Sequence, residues 1–177
     1  MSKKSRFSAK KTAFCGAMTA LALGISYVEA ILPLDLGIPG AKPGLANLVS
    51  LFLLFSFGPA EAGAVLLARI LLSALLFSGP IPLLYSLAGG VLSFLGMWFL
   101  RRTDRFSVTA VSMAGGVLHN VGQLAVAALL LGRATLRAWL PYLLLVGAMT
   151  GTVVGLLTRL LLNRQIPEKL GLTRKNA

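Results

Sequence analysis

Residues 107–131 read SVTAVSMAGGVLHNVGQLAVAALLL, and this stretch contains no Asp, Glu, Lys or Arg. A helix that crosses the hydrocarbon core of a bilayer needs about 20 mostly apolar residues. The stretch from Ser107 to Leu131 meets that requirement, although it includes His119, Asn120 and Gln123. It therefore predicts a membrane-spanning helix that carries polar side chains where lipid would otherwise be.

Five further apolar stretches lie on either side of this one. Gly44 to Phe57 is short and is interpreted as a steep or partial span. The other four are Thr12 to Leu32, Ala60 to Ser78, Ile81 to Leu100 and Ala138 to Leu162. The sequence thus predicts an all-α integral membrane protein with a bundle of about six transmembrane helices. The bundle occupies residues 12–162, after a basic segment (1–11) and before a basic tail (163–177).

The overall composition agrees with a membrane protein. Of the 177 residues, 56% are hydrophobic and 12% are charged, whereas soluble domains average about 25% charged residues. The mean hydropathy is +0.84. The formal net charge is nevertheless +12. A nucleic-acid-binding domain with such a charge would contain more charged residues and less Leu, so no nucleic-acid partner is expected.

The positive-inside rule accounts for the net charge and predicts the orientation. With six spans, both termini lie on the same side of the membrane. That side collects 13 Lys and Arg residues against 3 on the other side, with Arg69 uncounted inside a span. We expect a multi-pass protein of the bacterial cell (inner) membrane with both termini cytoplasmic. The basic start also resembles a signal peptide, but the length of the apolar run after it favours a retained first span.

The counts of reactive residue types argue against catalysis by this chain alone. No two of its acidic residues lie within five positions of each other, whereas a Mg²⁺–diphosphate site needs several close carboxylates. One His and one Cys cannot build a zinc site, and there is no GxxxxGK[ST] loop for phosphate. We therefore expect neither enzymatic activity nor a metal or other cofactor. The acidic residues are Glu29, Asp35, Glu61, Asp104 and Glu168.

Polar and charged residues in or near the spans are candidates for binding a ligand, because such residues are costly in lipid. Arg69 lies near the middle of its span, and His119, Asn120 and Gln123 are expected to share one helix face. Lys42 lies between two Pro-Gly breaks on an outer loop and is interpreted as part of a lid. The full set is Glu29, Lys42, Asn47, Arg69, His119, Asn120 and Gln123. We expect an outward-opening pocket for a zwitterion, a weak acid or a polar aromatic molecule.

Each of these residues also has a structural explanation. Arg69 could pair with Glu29 or with a backbone carbonyl and only hold helices together. Glu29 could be an edge residue that is partly in water, and Lys42 could be a solvated loop charge. His119 could be a hydrogen-bonded packing residue.

Two glycine patterns predict close helix packing. Ser86-Leu-Ala-Gly-Gly-Val-Leu-Ser93 and Ser112-Met-Ala-Gly-Gly-Val-Leu-His119 are nearly the same octapeptide. Because small residues let helices approach closely in lipid, the two stretches are expected to pack near each other, unless the echo is coincidental. Gly147, Gly151 and Gly155 form a stripe at a spacing of four and are interpreted as a helix-packing surface.

Four segments of the chain resemble the Gx transporter family, whose members were long labelled heptaprenyl diphosphate synthase component I. They are Pro39-Gly-Ala-Lys-Pro-Gly-Leu-Ala-Asn47, Ala68-Arg69-Ile-Leu-Leu, Ser86-Leu-Ala-Gly-Gly-Val-Leu-Ser93 and His119-Asn-Val-Gly-Gln123. The resemblance runs from about residue 10 to residue 162. It implies a fold like that of the substrate-binding S components of energy-coupling factor (ECF) transporters, which are six-helix proteins with cytoplasmic termini.

The resemblance also implies partners. An S component binds a vitamin or similar micronutrient near the outer face, while a membrane coupling subunit and two ATPases supply the energy. It docks through an Ala-x-x-x-Ala pattern at the cytoplasmic end of its first helix, which corresponds to Ala9, Ala13 and Ala17 here. The expected partners are therefore a small-molecule substrate and the lipid bilayer, and the resemblance adds an ECF coupling subunit with its ATPases.

The sequence leads to one main hypothesis and two alternatives. The main hypothesis is an S-component-like membrane subunit that takes up a small molecule with energy from partner ATPases. The first alternative is a non-catalytic membrane accessory subunit in prenyl-lipid or quinone metabolism. The second is a self-contained secondary carrier.

Overall fold

The computed structural model describes residues 3–32, 44–132, 134–164 and 166–172, and this part of the chain is helical apart from short turns. The helices are α1 (Lys3–Ile31), α2 (Asn47–Ser56), α3 (Pro59–Ser73, continued by a π-helical turn, Ala74–Ser78), α4 (Pro80–Arg102), α5 (Val108–Leu131), α6 (Ala134–Asn163) and α7 (Ile166–Lys169). Five of the helical stretches are long and apolar enough to cross a membrane. The predicted all-α membrane bundle is confirmed.

The second predicted span is only partly a helix. Helix α2 has 10 residues, which gives a length of about 15 Å at 1.5 Å per residue, or about half of the hydrocarbon core. Lys11 near the start of α1 nevertheless contacts Glu61 at the start of α3. The chain has therefore returned to the end where α1 begins by the time it reaches Pro59. Helix α2 makes only the last part of that return, so the prediction of a partial span is confirmed.

Glycine and proline set two of the helix boundaries. Gly58 and Gly79 adopt φ angles of 124° and 79°, a region that favours glycine because it has no Cβ. Each is followed by a proline at the first helical position, Pro59 of α3 and Pro80 of α4, where the missing N–H leaves no hydrogen bond unmade. The Gly-Pro pairs therefore end one helix and begin the next.

Helices α4, α5 and α6 pack closely through glycine. A Cβ added to Gly122 of α5 would lie 2.6 Å from the Ala88 carbonyl oxygen of α4, and one added to Gly151 of α6 would lie 2.6 Å from the Ser112 carbonyl oxygen of α5. Gly89 lies in contact with His119, and Gly115 lies in contact with Met97 and Ser93. Both predictions of glycine packing are confirmed.

Helix α1 is the least embedded of the spans, and α2 is the most. Only 17% of the most apolar stretch of α1 is buried inside the bundle. The main contacts of α1 are with α3. Helix α2 is buried along most of its length, where Leu51, Leu53 and Leu54 join the apolar core with Met97 of α4. Elsewhere the bundle exposes large apolar side chains such as Leu75 and Leu129, which suits contact with lipid.

Two ends of the bundle can be distinguished. We call the "basic end" the one where α1 begins, α4 ends at Arg101 and Arg102, and α6 ends. Phe14 of α1 and Leu161 of α6 line one cavity there, and the Arg101 guanidinium lies over the Phe55 ring of α2. The basic end is the one that the positive-inside rule predicts to be cytoplasmic.

Candidate ligand-binding site

Arg69 is the centre of a buried polar network inside the bundle. It lies near the middle of the α3 span and is 6% exposed. Its Nη1 donates to Ser26 Oγ of α1 at 3.2 Å, and its Nη2 donates to Asn47 Oδ1 at the start of α2 at 3.4 Å. The third guanidinium nitrogen, Nε, is buried and has no hydrogen-bond partner among the residues that the structure describes. Arg69 thus connects three helices through neutral groups, while its Nε nitrogen has no partner in the described part of the chain.

His119 continues the network into α5. Its Nδ1 lies 3.3 Å from Asn47 Nδ2, and its Nε2 lies 2.9 Å from Gln123 Nε2. Because Asn47 accepts from Arg69 through Oδ1, its Nδ2 faces Nδ1 of the imidazole, and the tautomer of His119 decides which ring nitrogen donates and which accepts.

Two glycines make room for the imidazole ring. A Cβ on Gly44, which immediately precedes the turn into α2, would lie 2.9 Å from His119 Cδ2. A Cβ on Gly89 of α4 would lie 2.8 Å from the His119 carbonyl oxygen and 3.0 Å from its Nδ1. The Pro-Gly, Gly-Gly and His-Asn motifs of the sequence therefore meet around one side chain.

Glu29 of α1 forms a hydrogen bond with the backbone just before α2. Its Oε1 accepts a hydrogen bond from the Leu45 backbone N–H at 2.6 Å, and the residue is 5% exposed. An anionic side chain is favourable there, because the first N–H groups of a helix lack partners and the helix dipole is positive. The interpretation of Glu29 as a partly wet edge residue is wrong. In the described residues the only ion pair joins Lys11 to Glu61, so direct Arg69–Glu29 pairing is wrong as well.

Asn120 faces a different neighbour from His119 and Gln123. Its Nδ2 donates to the Leu143 carbonyl oxygen of α6 at 2.7 Å, and a Cβ on Gly147 would lie 3.0 Å from the same nitrogen. The prediction of one shared face therefore holds for His119 and Gln123 and is wrong for Asn120. Adjacent residues of a helix point about 100° apart, whereas residues four apart stack.

A small cavity lies next to the network, towards the basic end. It has room for about one water molecule. Ser93 of α4 lies in its wall and is 1% exposed, and within the described ranges its Oγ has no hydrogen-bond partner. The full lining is Gly44, Asn47, Ser93, Met97, Ser112, Gly115, Gly116, Thr150, Gly151 and Val154. Small residues from α4, α5 and α6 therefore extend the polar site towards the core.

Sequence reasoning missed several members of this site. Ser26 lies three residues before Glu29 on α1, which is the spacing of one helix face and could have revealed it. Ser93 ends the first glycine-rich octapeptide, where its hydroxyl gave no signal beyond helix packing. Gly44 and Gly89 were visible as glycines, but their contact with an imidazole depends on tertiary structure.

The remaining predicted residues lie elsewhere. Ala9, Ala13 and Ala17 all lie on the exposed surface of α1. Lys42 falls outside the described residues. The residues that the structure describes contain no group of three His, Cys, Asp or Glu side chains placed to hold a metal ion.

A family model described as heptaprenyl diphosphate synthase component I matches residues 18–161. The chain belongs to this family. The match begins within α1 and ends within α6, so it includes every described member of the polar network, while Ala9, Ala13 and Ala17 precede it. The predicted resemblance to this component I family, under its former label, is confirmed. Searches among curated proteins and among solved structures gave no match.

Proposed function

We propose that this component I family member is the substrate-binding membrane subunit of an uptake system, similar to an ECF S component. It binds a small micronutrient-type molecule at the network around Arg69 and His119, and separate ATPases energise transport. The proposal rests on the family membership, on the membrane-spanning helices and above all on the state of Arg69.

Arg69 is the observation that carries the proposal. A buried guanidinium within a span is costly unless acceptors surround it. Ser26 and Asn47 are neutral acceptors at 3.2 and 3.4 Å, and no described residue provides an acceptor for Nε. Glu29, the nearest candidate counter-charge, is bound to the Leu45 amide instead. A ligand with a carboxylate or another strong acceptor would supply what Arg69 lacks.

His119 and Gln123 define a second contact region for the ligand. Both are buried, and both can donate or accept hydrogen bonds. A weak acid, a zwitterion or a polar aromatic molecule could exchange hydrogen bonds with them while its acidic group meets Arg69. The cavity beside the network holds only about one water, so binding requires the network to open. Lys42, on the loop before α2, is proposed to cover the ligand.

The exposed face of α1 suits a partner helix in the membrane. Ala9, Ala13 and Ala17 have small side chains that permit close approach, and α1 is the span least buried by its own bundle. A coupling subunit docked there would connect the chain to ATPases. The carboxylates are too far apart in the sequence for a Mg²⁺–diphosphate site, and the sequence has one His, one Cys and no phosphate-binding loop, so we propose that the chain is not an enzyme.

The decisive experiment identifies the ligand. The full chain is purified in mild detergent, co-purifying small molecules are identified by mass spectrometry, and their binding is measured by calorimetry. We expect Arg69→Gln and His119→Gln each to weaken binding at least about tenfold, equivalent to about 1.4 kcal/mol. Thr158→Val is the matched control, because Thr158 is buried with an unpartnered hydroxyl but lies near the basic end of α6. Unchanged binding in both network variants would refute the site.

Proteoliposomes test how transport is energised. Uptake should depend on a coupling subunit and ATPases reconstituted with this chain. Uptake by the chain alone, coupled to an ion gradient across the liposome membrane, would instead support the secondary carrier.

The family description favours one second candidate function. Component I of a synthase suggests a non-catalytic membrane subunit for a soluble prenyl synthase. Stable co-purification with such a synthase, with no small ligand bound and no effect of Arg69→Gln, would favour that candidate over uptake.

A further inference from the structure

A second cavity, unrelated to the polar network, lies at the basic end between α1 and α6. Its volume is about 130 Å³ and its lining has no polar surface. The lining residues are Phe14, Met18, Leu21, Leu48, Val49, Phe52, Leu161 and Ile166. Helices α1 and α6 scarcely touch each other, so α2 forms the floor of a groove between them and α7 closes one side. We call this cavity the α1/α6 groove.

The groove has the dimensions of a hydrocarbon chain and not of a helix. A cavity of about 150 Å³ with an apolar lining accepts benzene, so the α1/α6 groove holds roughly five or six carbon atoms of a chain. A helix with its side chains is about 10–12 Å wide and does not fit. Phe14, Met18 and Leu21 extend along two turns of one face of α1, so a chain can enter lengthwise from the basic end.

Basic side chains surround the mouth of the groove. Lys10 lies one turn before Phe14 on the same face of α1 and is exposed. Arg164 follows Leu161 at the end of α6, and Lys169 follows Ile166 by one turn on α7; both are exposed. Glu168 is the acidic residue on α7. The mouth therefore carries a net positive charge next to the apolar lining of the α1/α6 groove.

We propose that the α1/α6 groove binds one anionic phospholipid, with a segment of an acyl chain in the slot and the phosphate at Lys10, Arg164 and Lys169. Basic residues next to a membrane surface attract anionic headgroups, and an apolar slot of this width takes the chain. This site is separate from the proposed substrate site. A lipid bound in the α1/α6 groove would be held more tightly than the lipids that merely surround the bundle.

Native mass spectrometry of the full detergent-solubilised chain tests this proposal. Dioleoylphosphatidylglycerol or dioleoylphosphatidylcholine is added at equal concentration, and the fraction of protein that retains one lipid is measured. We expect at least about fivefold more retention of the anionic lipid, which is on the order of 1 kcal/mol. Equal retention of the two lipids would overturn the proposal.

Variants of the slot separate specific from general lipid binding. Leu21→Trp fills the groove from a partly exposed position, and its control is Leu129→Trp, at a residue of α5 that is 86% exposed. Retention should be lost in the first variant and kept in the second. If Leu21→Trp does not fold, as judged by circular dichroism and gel filtration, Met18→Trp fills the same slot one turn away. Parental retention in a folded slot variant would overturn the proposal.

Variants of the mouth test the headgroup contact. The triple change Lys10→Gln, Arg164→Gln and Lys169→Gln should abolish the preference for the anionic lipid. A matched triple change of exposed basic residues away from the mouth should leave it intact; its members are Arg102→Gln, Arg105→Gln and Arg159→Gln. An equal loss in both triples would overturn the assignment of the headgroup site, as would retention of farnesyl diphosphate without retention of phospholipid.

Discussion

Replacing Gly89 by alanine, with Gly90→Ala as its control, tests how the polar site depends on helix packing. The two glycines are adjacent on α4 but face different neighbours. A Cβ on Gly89 would lie 2.8 Å from the His119 backbone oxygen of α5 and 3.1 Å from Gln123 Cγ. A Cβ on Gly90 would lie 2.9 Å from Ile70 Cδ1, the end of a flexible side chain on α3. The same methyl group therefore meets fixed backbone in one variant and a movable methyl in the other.

The expected cost follows from these distances. The methyl on residue 89 would be about 0.5–1 Å inside normal contact with an atom that cannot move alone, so α4 and α5 must separate by that distance. Such a gap removes a quarter to a half of each van der Waals contact, which over roughly 20 atom pairs is about 1 kcal/mol, and strain raises the total to about 1–3 kcal/mol. At residue 90, a rotamer change of Ile70 costs about 0.5–1 kcal/mol. Alanine's helix-propensity gain of up to about 1 kcal/mol applies to both variants and cancels in the comparison.

Equilibrium unfolding in mixed micelles of dodecylmaltoside and sodium dodecyl sulfate, followed by circular dichroism, measures the difference. We expect Gly89→Ala to be less stable than Gly90→Ala by about 1–2 kcal/mol. It should also weaken binding of any ligand that depends on His119, because the imidazole must shift. Stabilities within about 0.5 kcal/mol of each other, or the reverse order, would refute the packing of α4 against α5 described above.

Three further predictions concern single side chains. Glu29→Ala should lower the free energy of unfolding by about 2–3 kcal/mol in the same assay. Glu29→Gln should lower it by about 1 kcal/mol, because Gln keeps an acceptor for the Leu45 N–H but not the charge. Equal stability of Glu29→Ala and the parent would contradict this role. Glu61→Gln should lower the free energy of unfolding by less than about 1 kcal/mol, since the Lys11 and Glu61 side chains are each 26% exposed. A larger loss would show that the pair is more than a surface contact. The chain contains one His, and its Nδ1 lies 3.3 Å from Asn47 Nδ2. If Asn47 donates across this contact, ¹⁵N-histidine labelling should show the Nε2–H tautomer at neutral pH; an Nδ1–H signal would show that Asn47 does not donate to it.

Much of the fold follows from one-dimensional patterns. The length of the apolar stretches predicts the spans, and in the structure α3 and α4 begin at the Gly-Pro pairs of residues 58–59 and 79–80. The glycine patterns of α4, α5 and α6 also predict contacts, because only glycine permits backbones so close together. These signals are local or periodic, so no knowledge of the tertiary structure is needed to read them.

The candidate site was less predictable. Arg69, His119, Gln123 and Asn47 were recognisable as polar residues in apolar stretches, and the structure brings these four together. The partner of Asn120 was not recognisable, because it is the Leu143 backbone carbonyl on α6, which no sequence pattern marks. Glu29 was misjudged for a related reason: its partner is the amide of Leu45, which becomes available only because α2 begins there.

The bundle is divided into two parts that meet at a seam, and this arrangement gives the polar network its importance. Helices α4, α5 and α6 pack backbone against backbone through glycine, whereas α1 and α3 contact them mainly through α2 and the α3–α4 surface. Towards the basic end, apolar residues of α2 fill the seam. Towards the other end, the seam is bridged by the hydrogen bond between Asn47 and His119. A polar ligand cannot compete for interlocked glycine backbones, but it can compete for hydrogen bonds that join Arg69, Asn47 and His119. The polar half of the seam is therefore the place where binding a small molecule can alter how the two parts of the bundle are held together.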